Sequence, residues 1–232
     1  MGYTDGNGNH LALTKSQLAY KVSADMSKEE NLKTVMNYIF SQKLTFKPGS
    51  QFEYSNSNYL LLAKIVEQVS GMSYEEYLRK HIFQPLGMEH TGFVDDMDSF
   101  SNLAQPKKTE SGLEYLSYPG MSFGAGNMVS SVNDMAKWLD ELTAPKILTK
   151  EIINSMSKNR SSEDDTMQYG FGLMVSRDDE YVYHSGYIPS FASMVLVSPE
   201  KNLKIILFTN CPTVNPEGIA KRLYNELTEG DL

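Results

Sequence analysis

Tyr54 and Asn56 stand two apart in the stretch Pro48-Gly49-Ser50-Gln51-Phe52-Glu53-Tyr54-Ser55-Asn56, just ahead of Ser57-Asn58-Tyr59 and an apolar run. In an extended segment, side chains two apart point the same way. A phenol and a carboxamide would then face one space. A phenol can move a proton or hold a charge, and a carboxamide can orient an amide or an ester. Taken alone, a tyrosine and an asparagine in a polar loop are more often surface groups than a catalytic pair. The second stretch is Tyr183-His184-Ser185-Gly186-Tyr187. Read as the end of a strand beside an irregular link, it offers a histidine that can donate a hydrogen bond or carry charge near neutral pH. Gly186 would leave room for a ligand against the strand edge. On its own, this too is more often a surface histidine in a turn.

The elements that must position these groups are legible from spacing. Residues 1–26 are polar and rich in turn formers, and Asp5-Gly6-Asn7-Gly8-Asn9 starts like a calcium loop. Its sixth position is His10 and its twelfth is Ser16, where such a loop needs glycine and glutamate, so a turn is the better reading. Ser27 with Glu30 forms a capping-box pattern, and Leu32, Val35, Met36, Ile39 and Phe40 predict a helix from about Lys28 to Ser41. The Tyr54 stretch leads into a second helix with Leu61, Leu62, Ile65, Val66 and Val69 on one face and Gly71 as its stop. Ser73 and Glu76 cap a third, running to about Phe83 before Pro85-Leu86-Gly87. Residues 93–120 show no period. Gly124-Ala125-Gly126 permits close backbone approach. Ser131 and Asp134 open a helix carrying Met135, Trp138, Leu139 and Leu142, and a short helix after Thr149 turns Ile152, Ile153 and Met156 inward.

From about Met167 the pattern alternates, through Tyr169, Phe171, Leu173 and Val175 as a strand. Strands over Glu180 to His184, Phe191 to Val197 and Leu203 to Thr209 complete an antiparallel meander, with turns at Arg177-Asp178-Asp179 and Pro199-Glu200-Lys201-Asn202. Asn215 and Pro216 start a last helix with the stripe Ile219, Ala220, Leu223, Tyr224 and Leu227. Helices, then strands, then a helix is the α+β pattern. The segments are 1–26 (polar), 27–160 (mainly helical) and 161–232 (strands and a closing helix).

The chain has 232 residues and a formal net charge of −8. That balance argues against nucleic acid or an anionic membrane as partner, since both need a basic footprint. No apolar run is long enough to span a bilayer. Met1-Gly2-Tyr3-Thr4-Asp5 is not an export signal, which needs a basic region followed by an apolar one. Cys211 is the single cysteine, so it forbids an internal disulfide, and its expected role is a small packed residue at a strand end. His10, His81, His90 and His184 are scattered without paired-ligand spacing. No metal or other cofactor is expected.

Together the stretches resemble the serine β-lactamase and penicillin-binding-protein family, in its class C-like branch of D,D-carboxypeptidases, D-aminopeptidases and esterases. The resemblance rests on Phe52-x-Tyr54-Ser55-Asn56-x-Asn58-Tyr59-x-Leu61-Leu62, Ser70-Gly71 and Pro85-Leu86-Gly87-Met88 with Thr91. It continues through Gly124-x-Gly126, Asp134-Met135-Ala136, Tyr169-Gly170-Phe171-Gly172, His184-Ser185-Gly186 and Leu207-Phe208-Thr209-Asn210, in that order. It implies a β-lactamase/transpeptidase-like fold and acyl transfer through a serine ester, on D-Ala-type peptides, esters or β-lactams. Tyr54 would be the acid/base partner and Asn56 would hold the substrate amide. His184 would add charge and a hydrogen bond beside Tyr54 or the substrate carboxylate. Ser185, Gly186 and Tyr187 would line the substrate, with the Tyr187 N–H as one oxyanion donor. The resemblance also implies an extracytoplasmic parent protein.

One element of the family pattern is missing. Members carry a Ser-x-x-Lys nucleophile upstream of Tyr-x-Asn; nothing before Tyr54 reads so here. Ser155-Met156-Ser157-Lys158 and Ser198-Pro199-Glu200-Lys201 match in the wrong order and read as coincidences. The expectation is therefore a C-terminal part that begins after its nucleophile, with an incomplete sheet. It would lack covalent catalysis and the positive charge that would lower the pKa of Tyr54. It would seek the missing N-terminal segment or a copy of itself. A non-catalytic binding module for cell-wall peptides or β-lactams is the alternative, and a metal enzyme a weaker third.

Overall fold

In the computed structural model the described residues are 22–105, 118–120, 122–162, 167–188, 191–211 and 213–228. The polar turn over Asp5 to Asn9 and most of the segment 1–26 lie outside them. Backbone contacts gather the chain into two compact units. One comprises residues 1–81, 92–101 and 111–129, the other residues 82–91, 102–110 and 130–232.

The first unit is mainly helical. Helix α1 (Lys28–Ser41) starts at the expected capping box, with Ser27 and Glu30 satisfying each other's backbone N–H groups. Helix α2 (Asn56–Ser70) stops at Gly71, whose φ of 69° is the left-handed cap that glycine adopts without strain. Helix α3 (Tyr74–Leu78) again has a capping box, Ser73 with Glu76. The chain then takes a π-helical turn (Arg79–Phe83) and passes into the second unit with the short helix α4 (Gln84–Leu86), so the third helical run ends at Leu86 rather than near Phe83. Strand β1 (Gly92–Phe93) pairs antiparallel with β2 (Met128–Val129), and a 3-10 helix spans Val94–Ser99.

Leu32, Val35 and Ile39 of α1 meet Leu60 and Ala63 of α2, with Val22 and Phe123, in one core. This corrects the expected inward face of α2. Leu62, Ile65 and Val69 are exposed, Val69 by 83%. The buried line is Ser57, Leu60 and Ala63, because the loop at Gly124 presses on that side. A Cβ on Gly124 would sit 2.7 Å from the Tyr59 carbonyl oxygen and 2.8 Å from the Ala63 Cβ, so the close approach expected of this glycine is real.

The second unit holds the meander. Strands β3 (Gln168–Tyr169), β4 (Met174–Val175), β5 (Val182–Ile188), β6 (Phe191–Ser198) and β7 (Leu203–Thr209) pair antiparallel in chain order, in an open sheet. Helix α5 (Val132–Thr143) covers one face, where Leu139 and Leu142 pack on Leu173, Val175, Val182 and Val197. Helix α7 (Pro216–Thr228) brings Ala220 and Tyr224 onto Met194, Leu196 and Ile205. Helix α6 (Lys150–Ser157) starts at Thr149 and buries Ile153, while Ile152 is exposed, contrary to expectation.

The run Tyr169 to Val175 is not one strand. It is two short strands about a tight turn, with Gly172 at φ 77° and the Gly170 N–H bonded to the Leu173 carbonyl. Phe171 at the turn is exposed and stacks under the Arg160 guanidinium, 4.0 Å from its ring centre. Two buried carboxylates pin loops within this unit. Glu141 accepts hydrogen bonds from the backbone N–H groups of Lys146, Ile147 and Leu148 at 2.6–3.0 Å. Asp134 accepts from the His90 N–H at 2.6 Å, the Thr91 hydroxyl at 3.0 Å and the Lys137 ammonium at 2.8 Å.

Candidate functional site

Around Tyr54, the extended backbone ends at Ser55, with φ −149° and ψ 118°, and Asn56 is already the first residue of α2. Strand alternation therefore does not relate Tyr54 to Asn56. Instead the helix start sets the carboxamide, one residue beyond the buried Ser55. Tyr54 is half-buried. Burial, reinforced by the neighbouring Tyr59, holds its phenol above the ordinary tyrosine range. At neutral pH it is thus a proton donor. Asn58, the third residue of α2, has its Oδ1 buried without a hydrogen-bond partner among the described residues. An acceptor in that state marks a place where a donor fits.

His184 does not close a strand, as its sequence context suggested. It lies inside β5, opposite Val195 of β6, and the strand runs on through Ser185, Gly186 and Tyr187 to Ile188. The Gly186 position is filled from across the sheet: a Cβ there would meet the Ser193 hydroxyl at 2.5 Å. The glycine thus admits Ser193 rather than leaving open room on that side. Tyr187 is 68% exposed near the end of the strand.

The imidazole is hydrogen-bonded at both ring nitrogens. Its Nδ1 is 2.6 Å from the Ser185 carbonyl oxygen and its Nε2 is 3.0 Å from the Tyr169 hydroxyl. A carbonyl only accepts, so Nδ1 carries the proton. Burial pulls the histidine below its ordinary pKa, against the Ser185 hydrogen bond and the nearby Glu217 carboxylate. The ring is therefore neutral at neutral pH, and Nε2 accepts from Tyr169. Glu217 in turn pairs with Lys221 at 2.7 Å, and the Lys221 ammonium lies 4.6 Å from the Tyr183 ring centre and 3.3 Å from its hydroxyl.

The structure brings His184, Ser185, Gly186 and Tyr187 onto one strand of the second unit and sets Tyr54 and Asn56 at the start of α2 in the first. Sequence reasoning missed Tyr169 as the partner of His184, because the alternating pattern hid the hairpin between them. It also passed over Asn58 as more than a motif letter.

The coincidental serine–lysine pairs are structural. The Ser155 hydroxyl accepts from Arg160 at 2.7 Å near the end of α6, and Lys158 caps that helix. The Ser198 hydroxyl is fully buried and donates to the Glu180 carbonyl at 2.7 Å. Cys211 is half-buried just past β7, its Sγ 3.2 Å from the Thr213 hydroxyl. Among the described residues no group of three His, Cys, Asp or Glu could hold a metal ion, and no helix is long and apolar enough to cross a membrane.

Known proteins resemble this chain in sequence and in fold. Residues 9–229 match the family described as Beta-lactamase. Protein flp of Staphylococcus aureus (strain MW2) is 29% identical over 231 residues, covering 93% of this chain and 46% of its own length. The chain thus spans about half the length of that curated relative. The octameric penicillin-binding protein homologue from Pyrococcus abyssi superposes with a TM-score of 0.73 at 28% identity, over 88% of this chain and 48% of that one. D-amino acid amidase from Ochrobactrum anthropi SV3 superposes with a TM-score of 0.67, over 90% of this chain and 66% of that one; at 22% identity the likeness shows the fold alone.

Proposed function

The chain belongs to the Beta-lactamase family, and from that membership we propose that it carries part of an acyl-transfer site for D-amino-acid peptides, esters or β-lactams. The match over residues 9–229, which takes in both the Tyr54 and the His184 motifs, is the observation that carries the reading. In the proposed reaction a serine hydroxyl attacks the substrate carbonyl and an acyl ester forms. The leaving amine or alkoxide takes a proton, and water later cleaves the ester. Tyr54, kept protonated by burial, suits protonation of the leaving group. Asn56 would hold the substrate amide. His184 would hydrogen-bond near the substrate carboxylate, Ser185, Gly186 and Tyr187 would line the substrate, and the Tyr187 N–H would serve the oxyanion.

The serine is proposed to come from polypeptide outside these residues. No Ser-x-x-Lys precedes Tyr54, and the hydroxyls of Ser155 and Ser198 are engaged in structural hydrogen bonds. A cationic neighbour arriving with that serine would lower the Tyr54 pKa and let the phenol act as a base as well. The parent protein is proposed to work outside the cytoplasm, where such substrates occur.

The test joins the chain to a preceding segment bearing Ser-x-x-Lys and follows hydrolysis of an acyl-D-Ala-D-Ala peptide, a p-nitrophenyl ester and a cephalosporin. Turnover of any of them, falling at least about 100-fold in Tyr54→Phe, is expected for a lost general acid. Turnover indifferent to Tyr54→Phe and His184→Gln would overturn the assignment. The second reading, a binding module without catalysis, draws on the absence of an upstream Ser-x-x-Lys in this chain. Saturable, non-covalent binding of penicillin with no turnover in the joined protein would favour it.

A further inference from the structure

His184 is held by a residue fifteen positions away, Tyr169, which stands in a motif without a role of its own. We propose that Tyr169 is the positioning residue of His184: its hydroxyl donates to Nε2, fixing the imidazole as the Nδ1–H tautomer with its ring set against β5. The proposal rests on the reading of His184 as a group that meets the ligand.

The geometry supports it from both sides. The ring cannot donate through Nε2 while Nδ1–H donates to the Ser185 carbonyl at 2.6 Å, so the neutral imidazole needs a donor at Nε2, and the Tyr169 hydroxyl stands there at 3.0 Å. The two rings meet edge to face, with centres 5.9 Å apart and planes at 78°, which limits rotation of the imidazole about its Cβ–Cγ bond. Tyr169 is itself held. It is buried, and it pairs with Met174 in the β3–β4 hairpin. Its backbone N–H donates to the Asn159 side chain at 3.1 Å, and its carbonyl accepts from the Arg160 N–H at 2.8 Å. The next residue, Gly170, lies so close to α6 that a Cβ would overlap the Met156 carbonyl oxygen. The phenol is thus anchored through the backbone of a different hairpin, and its hydroxyl is delivered to the histidine as a fixed donor.

The consequence is chemical. With Nδ1 donating inward and Nε2 accepting from Tyr169, the ring presents itself as a neutral, oriented group. A donor on a ligand reaches Nε2 only by displacing the Tyr169 hydroxyl, and an acceptor only if Nε2 also gains a proton.

The test is long-range proton–nitrogen NMR of the full chain labelled with 15N-histidine. His184 is assigned by its loss in His184→Gln. The wild type is expected to show His184 as the Nδ1–H tautomer above its protonation midpoint, with Nε2 shifted upfield by the bond it accepts. In Tyr169→Phe the Nε2 resonance should move downfield toward a non-bonded imidazole nitrogen, while the signals of His10, His81 and His90 stay in place. An Nε2–H tautomer in the wild type would overturn the proposal, and so would a His184 spectrum unchanged in a folded Tyr169→Phe. If that variant does not fold, the wild-type tautomer decides alone. Adding N-acetyl-D-Ala-D-Ala to the wild-type chain separates the two levels. A perturbed His184 signal supports the ligand-facing role. Tautomer and Tyr169 dependence as expected, with no perturbation at saturating peptide, would sink the proposed function and leave the positioning role standing.

Discussion

Tyr54 and His184 are displaced from their ordinary protonation ranges in opposite directions by the same cause. Burial penalises the charged form of each: the tyrosinate in one, the imidazolium in the other. For Tyr54 the sign of the stability effect follows. The folded chain binds the phenolic proton more tightly than the unfolded chain. The contribution is therefore fully present below the unfolded value of about 10 and is lost as pH rises through the higher folded value. Tyr54→Phe should remove that part of the alkaline loss of stability, read as the difference between wild-type and variant urea midpoints from about pH 9 upward. An identical alkaline slope in both proteins would contradict the burial of this phenol. Gly170 offers a steric check at the same scale. Gly170→Ala should cost about 2 kcal/mol or more in urea unfolding, since the added methyl has backbone, not a movable side chain, in its way.

Among the elements, the loop after α5 depends on one carboxylate. Glu141 is 1% exposed and satisfies three successive backbone N–H groups, so Glu141→Ala would leave those donors without their acceptor. A loss of about 3 kcal/mol is expected, measured by denaturant unfolding. The backbone hydrogen bonds outweigh burial and hold the Glu141 pKa below the ordinary carboxylate range. Its stabilisation is therefore complete above the unfolded value of about 4.3 and falls away as pH drops through the lower folded value. Wild type should lose stability in that acid window, and Glu141→Gln should show a flatter profile there.

Where an element announces its own ends, the sequence was enough. The capping boxes at Ser27 and Ser73 and the glycine at 71 fixed helix limits by local chemistry. The turn residues around Arg177 and Pro199 did the same for the sheet. What spacing could not tell was which side of a helix has a neighbour. Leu62, Ile65 and Val69 repeat correctly yet face outward, because the face of α2 is chosen by Gly124, more than fifty residues later. Nor could alternation distinguish one strand from two about a glycine turn, so the Tyr169–His184 hydrogen bond was invisible until the hairpin was in place. The motif letters named the candidate site residues and passed through Tyr169 without giving it a role; its hydrogen bond to His184 emerged only from the pairing of strands.

For the whole molecule, the sheet ends at β7 among the described residues, and Leu62, Ile65, Val69 and Phe208 expose apolar surface. The chain also spans 46% of the length of protein flp. Exposed apolar surface and an unpaired strand edge favour association. Light scattering of the isolated chain is expected to give a mass above the 26.1 kDa of one copy. Addition of a preceding Ser-x-x-Lys segment should lower it. A stable monomer with cooperative unfolding would contradict that expectation. The most direct measurement is intact-mass spectrometry after incubation with a labelled penicillin, made on this chain and on the same chain extended by such a segment. The expected result is no adduct on the former and a single penicilloyl adduct, on the added serine, in the latter. An adduct on Ser155, Ser198 or any other residue of this chain would contradict the claim that its motifs serve a nucleophile from elsewhere.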